Sequence, residues 1–165
     1  LRRRCAAAPR ISRRFCSSAV RPLRLEEHVD ALIEHLQQAD LVVGFNIIGF
    51  DYTVLRGYSK FDFKGLNTLD ILREIHGRLR YRVSLDSVGK ATLDAAKSAD
   101  GLMALQWFKE GRLDQIEAYC RKDVELTRDL FYYALEHGYL LFDRKNEGRM
   151  RIPLEWKLEE LVESA

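Results

Sequence analysis

The fold class this sequence predicts is α/β and helix-rich, and three observations predict it. Two short apolar runs, Leu41–Phe45 and Leu66–Asp70, have the length and composition of buried strands, and each is followed by a helical pattern. A long amphipathic stretch, Arg112–His137, ends on Gly138, a residue suited to closing a helix. Strand and helix signals alternate, which is the sequence signature of a layered α/β architecture.

Each element follows from local chemistry. Val29, Leu32, Ile33 and Leu36 fall at i, i+3, i+4 and i+7, one face of an amphipathic helix. Asp51–Gly57 reads as a short helix closed by Gly57. The second strand leads directly into a helix over Ile71–Leu79, and Ser84 is suited to capping a helix that reaches Thr92. Lys97–Gly101 reads as a loop before a helix over Leu102–Lys109. Tyr139–Phe142 and Arg149–Ile152, separated by Asn146-Glu-Gly148, predict a hairpin. Pro153 then introduces a closing helix over Leu154–Val162.

The chain has 165 residues, 47% of them apolar, enough for one domain with a core. No apolar run approaches the roughly 20 residues that cross a bilayer, so no membrane association is expected. The 27 Lys and Arg against 25 Asp and Glu give +2, but residues 1–24 hold eight Arg and no acid, leaving residues 25–165 at −6. A general basic surface for polyanions is therefore excluded, and nucleic acid would need local cations or metal ions. Cys5, Cys16 and Cys120 form no C-x-x-C pair, which argues against a disulfide scaffold or a cysteine zinc site. Cys120 reads as a small buried residue of the long helix.

Residues 1–24 stand apart as a basic tail before a domain of residues 25–165. Their Arg, Ala and Ser content resembles an organellar transit peptide, a wrongly framed or wrongly started gene product, or a disordered basic arm. The cytoplasm is the expected compartment, with an organelle the alternative if the tail is a transit peptide.

Two places carry chemistry. The buried stripe of the long helix can be written Ile116, Cys120, Asp123, Thr127, Leu130, Ala134, which puts Asp123 in an apolar seam with Tyr119 one turn before it. A carboxylate there needs a cation, a donor or a metal, unless the seam is slightly rotated and Asp123 sits at its edge. The second place is Asn46-Ile-Ile-Gly-Phe-Asp51, at the C-terminal end of the first strand, where α/β sheets carry their sites. Alternatively Asp51 caps the helix and Asn46 makes a turn.

Together, Asn-x-x-x-Phe-Asp at 46–51 and Tyr-x-x-x-Asp at 119–123 resemble the second and third motifs of DEDDy-type 3′–5′ exonucleases, which have the ribonuclease-H-like fold. Thr68-Leu-Asp-Ile71, Ser84-Leu-Asp86 and Trp107–Gly111 are similar to a bacterial branch found alone or beside helicase domains, related to the proofreading domain of family B DNA polymerases. Asn-x-x-x-Phe-Asp is expected by chance ~0.01 times in a chain of this composition. Tyr-x-x-x-Asp is weaker, since Tyr58/Asp62 and Tyr139/Asp143 also match, but only Tyr119/Asp123 lies on the long helix.

The resemblance implies hydrolysis of phosphodiesters by two divalent ions, Mg²⁺ or Mn²⁺, at a single-stranded 3′ end. It implies that Asp123 binds metal directly, that Asp51 does so through water, and that Tyr119 orients the attacking water. Asn46 and Phe50 support the substrate side, Asn46 by hydrogen bonding and Phe50 by packing. A helicase, or a missing N-terminal segment, is the partner it suggests. The family's opening Asp-x-Glu is absent: the acids before Asn46 are Glu26, Glu27, Asp30, Glu34 and Asp40. The sole Asp-x-Glu, Asp123-Val-Glu125, is helical, so its carboxylates diverge. The expectation is thus an incomplete ribonuclease-H-like domain lacking its opening strands, impaired as a nuclease, with an uncovered sheet edge that favours self-association.

Two other classes compete. One is a non-catalytic nucleic-acid-binding module using Arg56, Lys60, Lys90, Lys97 or Arg121 on phosphates, with the charge run Arg78–Arg82 read first as a solvated face. The other is a helical interaction domain in which Asp51 and Asp123 are caps and rim charges. Trp107 and Trp156 read as packing residues, and His28 and His35 as a solvated pair.

Overall fold

The β-branched run at Leu41 does form a strand, and the chain around it builds a helix-rich α/β fold. The computed structural model describes residues 28–95, 101–144 and 147–163. Helix α1 (Val29–Gln37) leads to β1 (Val42–Gly44), then α2 (Asp51–Leu55), β2 (Thr68–Asp70) and α3 (Ile71–Leu79). Helices α4 (Leu85–Leu93), α5 (Gly101–Lys109) and α6 (Leu113–His137) follow. The chain closes with β3 (Tyr139–Arg144), β4 (Gly148–Pro153) and α7 (Leu158–Glu163).

Strands β1 and β2 pair in parallel, with Val43 opposite Leu69, and among the described residues they form a sheet of two. Helix α6 packs against β1. The hairpin β3–β4 is a separate antiparallel sheet with Leu140 opposite Ile152. Helix α4 fastens the hairpin: Thr92 Oγ1 donates to the Leu141 carbonyl at 3.1 Å and accepts from its N–H at 2.9 Å. Thus a side chain in a helix takes the place of a strand along part of β3.

The main core lies where α3, α4 and α6 meet the hairpin. Ile71, Ile75, Val88, Leu130, Ala134, Leu140, Ile152 and Leu154 are fully or almost fully buried there. Each large aliphatic side chain so buried contributes about 1.5–3 kcal/mol. A smaller cluster of Ile33, Tyr52 and Phe63 locks α1 to α2, with the Tyr52 and Phe63 rings stacked at 4.8 Å. Gly89 lets α4 and α6 approach, since a Cβ there would lie 2.8 Å from Leu126 Cδ2.

Most expected elements are present, and their caps are chemical. Ser84 Oγ accepts from Ser87 N at 3.2 Å, and Gly138 ends α6 at φ 76°. Three expectations need correction. The closing helix begins at Leu158 rather than Leu154: β4 runs through Pro153, whose register partner is Tyr139, and Leu154 continues into the core. Cys120 is exposed, so the seam of α6 is buried only from Thr127 onward. Gly101 opens α5, while Lys97–Asp100 lie outside the described residues, as do residues 1–27. Trp107 and Trp156 pack as expected, on Tyr119 at 6.4 Å and on Phe131 at 5.9 Å. Among the described residues, no helix is long and apolar enough to cross a membrane.

Candidate functional site

The segment between β1 and α2 is shaped by one carboxylate downstream of it. Asp70 ends β2 and caps α3, accepting from Leu72 N at 3.1 Å and Arg73 N at 3.3 Å. The same carboxylate reaches back to accept from Asn46 N at 2.8 Å and Ile48 N at 3.1 Å. Four backbone donors on a side chain only 3% exposed make it the organiser of the loop. Asn46 itself adopts the left-handed conformation, φ 63°, which asparagine tolerates better than most residues. This is the turn role that local chemistry allowed for it.

Asp51 is the first residue of α2, not its cap; that position belongs to Phe50, with no side-chain cap bond. Asp51 is exposed overall, yet crowding around its carboxyl, and then the charge of Asp70, hold its pKa above the usual carboxylate range. Folding therefore disfavours the ionised form, a bias that a cation would relieve. Tyr52, the next residue, turns inward and shares a hydrogen bond with Thr68 Oγ1 at 2.8 Å, which ties α2 to β2. Phe50 is 62% exposed and, with Leu32, Leu36, Val54 and Leu55, lines an open apolar groove of about 300 Å³ beside Asp51.

Helix α6 carries the second pair of motif residues. Tyr119 and Asp123 lie one turn apart and share a hydrogen bond, and Thr127 Oγ1 donates to the Asp123 carbonyl at 2.7 Å. The Tyr119 hydroxyl is pushed up to about 12, by loss of water first, then by Asp123 and by Asp86 of α4. Although Cys120 is exposed as a residue, loss of water around its sulfur, then Asp123 and Asp51, raise its thiol. The charges of both aspartates thus reach one side chain of α6.

Because folding raises the Tyr119 pKa, the neutral phenol is the stabilised form. Its contribution is whole below about pH 10 and drains away as the pH rises through about 12. Ultraviolet difference titration is expected to show a phenol ionising near 12 that Tyr119→Phe removes and Asp123→Asn shifts back toward 10.

Hard carboxylate oxygens suit Mg²⁺ or Mn²⁺, and Mg²⁺ commonly keeps several waters while bound by one or two carboxylates and substrate phosphates. Asp51 and Asp123 fit that partial role. Among the described residues no three His, Cys, Asp or Glu converge to hold an ion. The chemistry of these donors suits a hydrated ion.

A family model described as RNase_H superfamily matches residues 11–135, from inside the basic N-terminal stretch to the last turns of α6. The chain belongs to the RNase H superfamily. Neither the curated proteins nor the solved structures give a match. The matched span includes the Asn46–Asp51 loop and Tyr119–Asp123, while the hairpin and α7 lie beyond it. Membership in the RNase H superfamily suggests a nuclease-like domain acting on nucleic acid. Asp70 and Asp86 lie in segments that carry the family resemblance and Arg82 in the charge run, but none of the three was assigned a role in the site. Asp70 shows one local signal, a carboxylate directly before a helix; its reach back to Asn46 has none.

Proposed function

We propose that residues 25–165 form a 3′–5′ exonuclease-type domain of the DEDDy kind that engages a single-stranded 3′ end, and that this chain alone hydrolyses it poorly. One observation carries the reading: the RNase H superfamily match over residues 11–135 includes both the Asn46–Asp51 loop and Tyr119–Asp123. Asp123 directly, and Asp51 through water, would hold Mg²⁺ or Mn²⁺. A bound ion would supply activation of water and stabilisation of the leaving 3′ oxygen. Tyr119, neutral at physiological pH, keeps its O–H on Asp123 and is placed to orient a water beside it. Asn46 offers its amide at the mouth of the cleft, and the exposed Phe50 offers an apolar face to a nucleotide. The missing ligands would come from a further segment or a partner such as a helicase-linked polypeptide.

The test incubates the chain with end-labelled single-stranded DNA or RNA in Mg²⁺ or Mn²⁺ and follows both anisotropy and products. Salt-dependent binding with near-background mononucleotide release, unchanged in Asp123→Ala, is the expected result. Brisk Mg²⁺-dependent release that Asp123→Ala abolishes would overturn the impairment. Absence of binding even at about 50 mM salt would overturn the nucleic-acid reading itself.

A further inference from the structure

We propose that Arg82 is a phosphate-binding residue of this cleft, holding a backbone phosphate of a nucleic-acid strand beside Asn46. The inference rests on the reading of the cleft as a nucleic-acid site. Its starting point is the segment after α3, where inward and outward residues alternate. Leu79 and Val83 pack against the main core, and the Tyr81 ring meets Phe142 edge-on at 6.0 Å. Tyr81 stays 38% exposed beside that contact, and Arg80 and Arg82 on either side of it are exposed. The strap is pinned and its cations are presented.

Those cations differ in what they touch. Arg78 is engaged by Glu74 at 2.9 Å, and Arg112, Arg121, Arg128, Arg144 and Arg149 each meet an acid within 3.3 Å. Arg82 instead donates from Nη2 to the amide oxygen of Asn46 at 3.0 Å, across 36 positions of sequence, and makes no ion pair among the described residues. A neutral amide fixes the direction of the guanidinium without cancelling its charge. The remaining N–H groups of the fork are the geometry that binds a phosphate in two places at once. Arg82 thus holds a positive charge at Asn46, at the start of the loop that leads to Asp51. A strand laid across it would rest one phosphate on Arg82 with another beside the aspartates.

The experiment measures binding of fluorescein-labelled single-stranded DNA and RNA to the full chain by anisotropy across a salt series. Arg82→Ala is expected to weaken binding about tenfold and flatten the salt dependence by about 0.7 in log–log slope, the share of one phosphate contact on a single strand. Arg82→Lys should keep the slope but not the full affinity, because a point charge cannot hold amide and phosphate together. Asn46→Asp, which sets a carboxylate against the guanidinium, should weaken binding as Arg82→Ala does. Arg144→Ala, on the hairpin, should bind normally, and the melting temperature of Arg82→Ala should match the parent. Parental affinity and slope in Arg82→Ala, with the parent itself binding, would overturn the role of Arg82 and leave the cleft reading standing. A parent that binds neither polymer would overturn both.

Discussion

Replacing Asp70 by alanine is expected to destabilise the fold by about 4 kcal/mol, measured by urea denaturation. Four N–H groups lose a charged acceptor, and the side chain is only 3% exposed, so water cannot readily take its place. Part of that loss is ordinary capping, about 1 kcal/mol for an exposed site. Asp62→Ala isolates it: Asp62 caps the 3-10 turn at Phe63–Gly65, accepts from Lys64 N at 3.1 Å, and is exposed. Asp70→Asn should fall between. Oδ1 accepts from Asn46, Leu72 and Arg73, and Oδ2 from Ile48, so an amide with its oxygen at the first position conflicts with Ile48 N–H alone. A cost near 1–2 kcal/mol follows. If Asp70→Ala cost under about 1 kcal/mol, the loop would be holding its own shape.

Gly44→Val is expected to cost about 3 kcal/mol by the same measurement, although valine is the better strand former. A Cβ at Gly44 would lie 2.5 Å from Ile47 Cβ and 2.8 Å from its Cγ2. Neither atom can swing aside, because Cβ is fixed to the backbone, so the start of the Asn46–Asp51 loop would have to move. The β-propensity gain is at most about 1 kcal/mol and loses to the clash. Gly65→Ala serves as the comparison, since nothing lies within 4 Å of its would-be Cβ, and it should be neutral within about 0.5 kcal/mol. A harmless Gly44→Val would mean that the turn after β1 is looser than this packing implies.

The elements were legible in the sequence because their signals are local. The stripe of Val29, Leu32, Ile33 and Leu36, the run at Leu41 and the cap at Ser84 each report on neighbours a few residues away. The closing helix was misplaced for the same reason: proline suits a first helical turn, but pairing with Tyr139 extends β4 through Pro153, and that competition is tertiary. Cys120 was misjudged because an apolar residue in a helical stripe carries no record of where the opposing surface ends. In the site, Asn46, Asp51, Tyr119 and Asp123 were visible through motif spacing. The roles of Asp70, which stood out only within a resembling segment, and of Arg82, read as a solvated charge, were not, since their hydrogen bonds to the loop span 24 and 36 positions. A carboxylate before a helix and an arginine in a charged run look ordinary until the chain is closed.

The reach of Asp70 back to Asn46 has a consequence for synthesis. As the polypeptide leaves the ribosome, Asn46 and Ile48 emerge well before the acceptor that fixes them, so no nascent fragment ending short of Asp70 can hold the loop in its final shape. The loop is a product of late closure, and it takes form together with the parallel strand pair, not ahead of it.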